Sequence, residues 1–200
     1  MNKNFLKYIS ILIGVFALLI IYLSTVGIET EKFNNQIQGL VKQKNNELDI
    51  NLKKIKLTLD PLNFKFNAKT IDAKIFSKGK LIELEFIKTQ ISLNSFIQNK
   101  LVASQIEMST KSTLLKNFVS FVRSINNKPE LFFLEQFIKK GYLIVNLNFN
   151  FDEFGKIKQD YKISGSLKEG KLSLFENNKL EKINFLFNIM GNNFNFRDIS

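Results

Sequence analysis

Two pairs of acidic side chains are the residues of this chain best suited to acid–base chemistry. Glu83 and Glu85 are two positions apart, so in a strand both carboxylates would share one face, as a general acid and its partner base require. That face is the polar face of its segment, however, where solvated charge is expected. Asp152 and Glu153 fall in a turn sequence, in which Asp serves the turn geometry. Catalysis by either pair is therefore the weaker hypothesis.

The chain contains no His and no Cys. His is the commonest general base and metal ligand, and Cys supplies thiolate nucleophiles and disulfides. We therefore predict that the protein is not an enzyme, that it has no catalytic residues, and that it holds no metal or cofactor.

The segment from Gly165 to Leu172 nearly matches a phosphate-binding loop. Such a loop needs Ser or Thr after its Lys to hold magnesium, and here the residue after Lys171 is Leu172. The loop should also open a helix, whereas the residues from Leu172 onward alternate as a strand does. We predict a glycine-bounded hairpin at this place.

The net charge of +11 suggests an anionic partner. Lys provides all of the basic residues except Arg123 and Arg197, and the lysines are scattered singly along the chain. Nucleic-acid surfaces use Arg forks and cluster their charge, so we predict no nucleic-acid partner. A solvated outer face and attraction to anionic lipid headgroups both remain open.

Residues 8–28 contain no charged side chain. At 1.5 Å per residue, a helix of this length reaches about 32 Å, enough to cross a hydrocarbon core of ~30 Å. We predict one transmembrane anchor over residues 1–28, with lipid contacts from Tyr8, Ile9, Leu12, Val15, Leu19, Tyr22 and Ile28. A cleaved signal peptide is the alternative, but its apolar region is usually shorter, and residues 25–27 are a poor cleavage site. Lys3 and Lys7 favour an N-terminus inside and the bulk of the chain outside.

The period of the apolar residues changes after the anchor. Residues 29–47 have helical spacing and predict a short juxtamembrane helix. From residue 48 to 200 the pattern alternates with period two, which predicts strands, with a break of phase at Lys54 and a turn at Asp60-Pro61. A helical insertion is expected at about 112–140, and its second helix has Lys139 and Lys140 in its last turn and Gly141 as its stop.

These elements predict a β-rich α+β fold with a long antiparallel sheet and two or three short helices. Such one-sided strands need something to bury their apolar face. Two hypotheses stay open at this point. The first is an ordinary core, either a sandwich or helices packed on the sheet, and the second is a sheet curled into a groove around acyl chains.

Three segments resemble the AsmA-like proteins of Gram-negative envelopes. Residues 48–75 are similar to the first strands after the anchor in that family, and residues 80–110 to its next strand–bend–strand element. Residues 165–199 resemble one of its later glycine-punctuated repeats. The resemblance covers nearly the whole chain, but it is a pattern of residue types without an invariant catalytic residue. Family members are usually several times longer, so we expect this chain to be the start of a longer architecture or to need partners.

The resemblance implies a single-pass inner-membrane protein, with the bulk of the chain in the periplasm, that conducts phospholipids for outer-membrane lipid homeostasis. Its expected partners are the inner membrane, phospholipids, and envelope proteins or further copies of the chain. The residues expected to touch acyl chains are Leu57, Phe64, Phe66, Leu84, Phe86, Phe149, Phe151, Phe185 and Phe187. The alternative is a non-catalytic anchored scaffold in envelope or outer-membrane protein assembly.

Overall fold

A computed structural model describes residues 3–31, 33–92, 103–152, 156–175, 178–191 and 193–200. Within these ranges the helices are α1 (Lys3–Thr25), α2 (Asn34–Lys44), α3 (Leu115–Ile125) and α4 (Pro129–Phe137). The strands are β1 (Ile28–Thr30), β2 (Leu48–Asn51), β3 (Ile55–Asp60), β4 (Lys65–Ile71), β5 (Lys74–Ser77), β6 (Lys80–Ser92), β7 (Ala103–Thr110), β8 (Thr113–Leu114), β9 (Ile138–Asn150), β10 (Lys162–Phe175), β11 (Asn178–Met190) and β12 (Asn193–Arg197).

All of these strands join one antiparallel sheet, which is open rather than closed into a barrel. Its main path runs β1-β3-β4-β6-β7-β9-β10-β11-β12. Off this path, β5 pairs with the first part of β6 and with β2, and β8 pairs with β9. Neighbours along the path are mostly neighbours in the sequence, as short hairpin connections require. The predicted apolar helix followed by a large antiparallel sheet is confirmed.

The apolar helix ends before the uncharged segment does, at Thr25. The stretch Asn4–Thr25 is long and apolar enough to span a membrane, and it contains the predicted anchor residues Tyr8, Ile9, Leu12, Val15, Leu19 and Tyr22. Ile28 was wrongly assigned to the anchor, because it begins β1 and pairs with Leu57 of β3. Gly27 makes this change of direction possible with a φ of +74°, a conformation that suits glycine.

The break of phase predicted at Lys54 is present and marks a local bend, at Lys53 and Asp72. β2 pairs with β5, while β3 pairs with β4, so residues 52–54 and 72–73 separate two successive ladders. Ala73 at the bend is fully buried. Phe33, Ile37 and Val41 of the α2 region pack on the core at this bend, which agrees with their helical spacing.

Two sequence signals misplaced local boundaries. α4 ends at Phe137, so Lys139, Lys140 and Gly141 lie inside β9 rather than at the end of a helix. The buried Ile138, only 1% exposed, begins this strand, and its pairing with Leu172 outweighs the helix-end signals. The predicted hairpin at Gly165–Leu172 is also wrong, because this segment lies within the single strand β10.

The glycines of β10 permit close packing instead of a turn. A Cβ on Gly165 would lie 2.1 Å from the carbonyl oxygen of Ile144, and one on Gly170 would lie 3.1 Å from Ile183. A register shift between Leu167 and Gly170 supplies the irregularity that the glycines suggested. Predictions on residues 94–100, Val102 and residues 153–155 lie outside the described residues.

Candidate functional site

One face of the sheet is apolar over nearly its whole width. Direct cross-strand partners in an antiparallel sheet lie on the same face. The register from β3 to β12 joins apolar partners through the pairs Leu59–Phe66, Phe66–Ile91, Ile87–Met108, Met108–Leu147, Leu147–Ile163, Ile163–Ile189 and Ile189–Phe194. We call this surface the apolar face.

Helix α3 covers one end of the apolar face. Its residues Leu115 and Phe118 pack against a buried cluster formed by Leu143, Val145 and Leu167. Each of the three cluster residues is less than a tenth exposed. This end of the sheet is therefore an ordinary hydrophobic core.

The other end of the same strands is less covered. Along β9 the inward-facing residues change from buried Leu143 and Val145 to half-buried Leu147 and Phe149. On the edge strand β12, Phe194 is 64% exposed and Phe196 is 54% exposed. We call the following six side chains of this region the open half of the apolar face: Ile106, Phe149, Ile163, Phe187, Ile189 and Phe194.

Aromatic rings make up much of this end of the sheet. The ring of Phe185 lies edge-on to Phe187, with centroids 6.2 Å apart, and to Phe196, with centroids 5.5 Å apart. Phe149 lies 6.4 Å from Tyr161. Such pairs add to the burial of the rings by about 0.5–1.5 kcal/mol each. The rings thus form a broad apolar surface that is partly open to solvent.

The register places five of the predicted lipid-contacting residues at half-buried positions of the apolar face. They are Leu57, Phe66, Phe149, Phe185 and Phe187. Phe151 follows β9 and forms an isolated bridge with Ile157. Of the remaining three, Leu84 lies on the apolar face but is buried in its core, Phe64 lies in the turn after β3, and Phe86 lies on the opposite face.

Phe86 does not share a face with Leu84, although two positions separate them. The ladder between β6 and β7 shifts its register between these residues, and this irregularity turns the later side chain to the other face. There Phe86 pairs with Ile71 and lies under the ammonium groups of Lys69 and Lys88, at 5.5 and 4.5 Å from its ring centroid. The alternation of residues along β6 could not predict this register shift, because the shift depends on the pairing with β7.

Two of the candidate acidic residues, Glu83 and Asp152, make structural contacts. Lys74 donates to Glu83 at 2.9 Å, and this hydrogen bond lowers the pKa of the Glu83 carboxyl. An ionised, ion-paired carboxylate at neutral pH is unsuited to act as a general acid. The Oδ1 atom of Asp152 accepts from the backbone N–H of Lys156 at 2.9 Å, which closes the turn after β9.

A polar cleft of about 640 Å³ lies between β1 and the bend of the sheet. Its charges are largely paired, because Lys54 lies 3.5 Å from Glu29 and Lys53 lies 4.0 Å from Asp72. Asp72 is also paired with Lys111 at 2.6 Å. The cleft therefore has a mixed-charge lining, in which Lys56 and Lys69 lie near the paired side chains.

Sequence reasoning missed how the anchor meets the sheet. Because α1 packs against β3, one side of its C-terminal end is less exposed than the other. This side includes Ile20, Leu23 and Ser24, and Gly27 just after the helix is buried as well. It also overlooked Leu62, which is 89% exposed in the turn between β3 and β4. The signal in the sequence was a pair of apolar residues, Leu62 and Phe64, in the turn that begins at Pro61.

We compared the chain with models of known protein families, with curated proteins and with solved structures, and none of the three comparisons gave a match. The resemblance to the AsmA-like proteins therefore stays a prediction from the sequence.

Proposed function

We propose that the protein is a membrane-anchored lipid-binding protein, which holds phospholipid acyl chains against the open half of the apolar face. The observation that carries this proposal is the register-matched apolar surface, which α3 covers at one end only. The function needs no catalytic residue, because the contact with lipid is passive.

The dimensions and chemistry of the open half suit an acyl chain. From β7 to β12 the path crosses four gaps between strands, which at ~4.8 Å each amount to about 19 Å. A fully buried methylene contributes ~0.8 kcal/mol, and one lying on a flat face contributes less. Curling of the sheet around the chains would bury more of each methylene, and we include such a groove in the proposal.

The proposed location follows from the anchor and from the charges near it. Lys3 and Lys7 favour an N-terminus inside, so the sheet would stand on the far side of the inner membrane, in the periplasm. Together with the AsmA-like resemblance, this supports a role in supplying phospholipid to the outer membrane.

Site-specific crosslinking in cells tests the proposal. Benzoylphenylalanine replaces Phe194 on the apolar face or its neighbour Asn195 on the opposite face. Both side chains are exposed on β12, and they pair with Ile189 and Asn188 respectively. We expect phospholipid adducts, identified by mass spectrometry, at position 194 in clear excess over position 195.

A second pair of crosslinker positions, in the inner strand β11, tests whether the result depends on the edge strand. Ile189 and Met190 are adjacent in β11 and point to opposite faces, so adducts should again favour position 189. Equal lipid labelling at both members of each pair would contradict the proposal. Protein adducts in place of lipid at 194 and 189 would favour the anchored scaffold.

A further inference from the structure

We propose that the hairpin between β3 and β4 inserts its tip into the bilayer that α1 spans, with Leu62 and Phe64 as the inserted side chains. The inference requires α1 to span a membrane, as in the proposed function, but it does not depend on lipid binding by the open half.

The contact between α1 and β3 fixes where the hairpin lies relative to the membrane. The face of α1 that packs on the sheet includes Ile20, Leu23 and Ser24, whereas the adjacent Ile21 and Tyr22 are 58% and 52% exposed. A Cβ on Gly27 would lie 2.3 Å from the carbonyl oxygen of Leu57, so only a glycine allows this close approach. The end of the helix is thus held directly against β3.

The direction of β3 then brings the hairpin back alongside the helix. β1 and β3 are antiparallel, with Ile28 opposite Leu57, so the residues after Leu57 extend toward α1. From Leu57 to Asp60, where β3 ends, the strand covers about 10 Å, and the turn lies beyond it. From Ile28 back to Thr25, where α1 ends, three residues span at most about 10 Å. The tip therefore lies beside the C-terminal end of the span Asn4–Thr25.

The residues of the tip suit the boundary of a bilayer. Leu62 is 89% exposed and Phe64 is 72% exposed, and neither belongs to a hydrophobic cluster in the described part of the chain. Apolar side chains of this kind partition favourably into the membrane. The turn also satisfies its own polar groups, since Asp60 accepts from the backbone N–H of Asn63 at 3.1 Å and from its side-chain amide at 2.9 Å.

The backbone at Phe64 offers a second, independent observation. Its φ is +50°, a left-handed conformation that favours Gly or Asn and that a bulky residue rarely adopts. The fold therefore keeps a large apolar side chain at a position where the backbone conformation is unfavourable. Strain of this kind persists where the side chain serves a purpose, and insertion into lipid supplies one.

The absence of Trp from the chain makes the test direct. Leu62→Trp introduces a single indole into the full-length protein, which is then reconstituted into phosphatidylcholine vesicles with or without brominated acyl chains. Leu180→Trp is the matched control, because Leu180 is 52% exposed at the far end of β11. We expect blue-shifted emission and at least threefold stronger bromine quenching for Leu62→Trp than for Leu180→Trp.

A second variant separates insertion from mere proximity to the vesicle. Phe64→Asn keeps a residue that tolerates the turn conformation, and in the Leu62→Trp background it should reduce quenching by at least half. Quenching and emission of Leu62→Trp equal to those of Leu180→Trp would overturn the proposal, as would quenching that Phe64→Asn leaves unchanged. Failure here does not alter the lipid crosslinking expected at Phe194, so the two proposals are distinguishable.

Discussion

Replacement of Gly165 by Ala should destabilise the sheet at the centre of the apolar face. The added Cβ would lie 2.1 Å from the carbonyl oxygen of Ile144 and 2.5 Å from Cζ of Phe187. The ring can rotate away, but the carbonyl belongs to the ladder between β9 and β10, so relief requires the two strands to separate. Overpacking costs about 1–3 kcal/mol, and a disrupted backbone hydrogen bond about 1 kcal/mol. We therefore expect the free energy of unfolding to fall by about 2–4 kcal/mol.

Equilibrium urea unfolding of the full-length protein in detergent micelles, followed by circular dichroism, measures this loss. Gly39→Ala is the matched control, because a Cβ on this α2 residue meets nothing within 4 Å. Ala is a better helix former than Gly by about 1 kcal/mol, so this variant should gain stability. The same substitution is thus expected to act in opposite directions at the two sites.

A second substitution identifies which contact carries the loss. Phe187→Leu removes the ring that lies over Gly165, so in the Gly165→Ala background it should restore part of the stability. An unfolding midpoint of Gly165→Ala equal to that of the unchanged protein would refute the packing of β9, β10 and Phe187 described above. A double variant no more stable than Gly165→Ala would show that the carbonyl contact alone matters.

Leu84→Ala should lower the free energy of unfolding by about 2–5 kcal/mol, because Leu84 is buried. Phe86→Ala should lower it by only about 1 kcal/mol, mainly through the lost cation–π contacts on the opposite face. Equal losses in urea unfolding would contradict the register shift between the two residues. Phe64→Asn should raise the free energy of unfolding in detergent by about 1 kcal/mol, since it relieves a left-handed backbone without loss of packing, and a fall would argue against strain at this turn. The hydrogen bond from Lys111 lowers the pKa of Asp72. The stabilisation of the fold by this ion pair is therefore present at neutral pH, above the ordinary pKa of aspartate, and is lost as the pH falls through the lowered pKa. Asp72→Asn should therefore lose less stability than the unchanged protein between about pH 7 and about pH 3, as measured by urea midpoints, and an equal loss would remove this ion pair as a cause.

Local patterns predicted those elements that local chemistry determines. The apolar helix follows from the uncharged run before Glu29, and the strands follow from alternation with period two. The turn after Asp60 follows from Asp-Pro chemistry. Six of the nine residues predicted to touch lipid lie on the apolar face, Leu84 among them as a buried residue, because alternation assigns faces correctly wherever the ladder is regular.

The misplaced residues are those at which pairing with a distant strand overrides the local signal. Lys139, Lys140 and Gly141 carry helix-end signals, yet Ile138 gains more from burial in β9. Phe86 alternates with Leu84, yet a register shift turns it to the opposite face. Gly165 resembles a turn residue, yet it serves the close approach of Phe187. None of these effects is visible without knowing which strand lies alongside.

The sequence by itself determined that this protein has an apolar N-terminal helix and a sheet with one apolar face, because both properties depend on the spacing of residues close together in the chain. Only the tertiary structure decided how much of that face is covered, because coverage depends on where α3 lies across strands far apart in the sequence. It also placed β3, which leads into the turn of Leu62 and Phe64, against the end of α1. That juxtaposition results from the pairing of β1 with β3 and from the close approach that Gly27 permits.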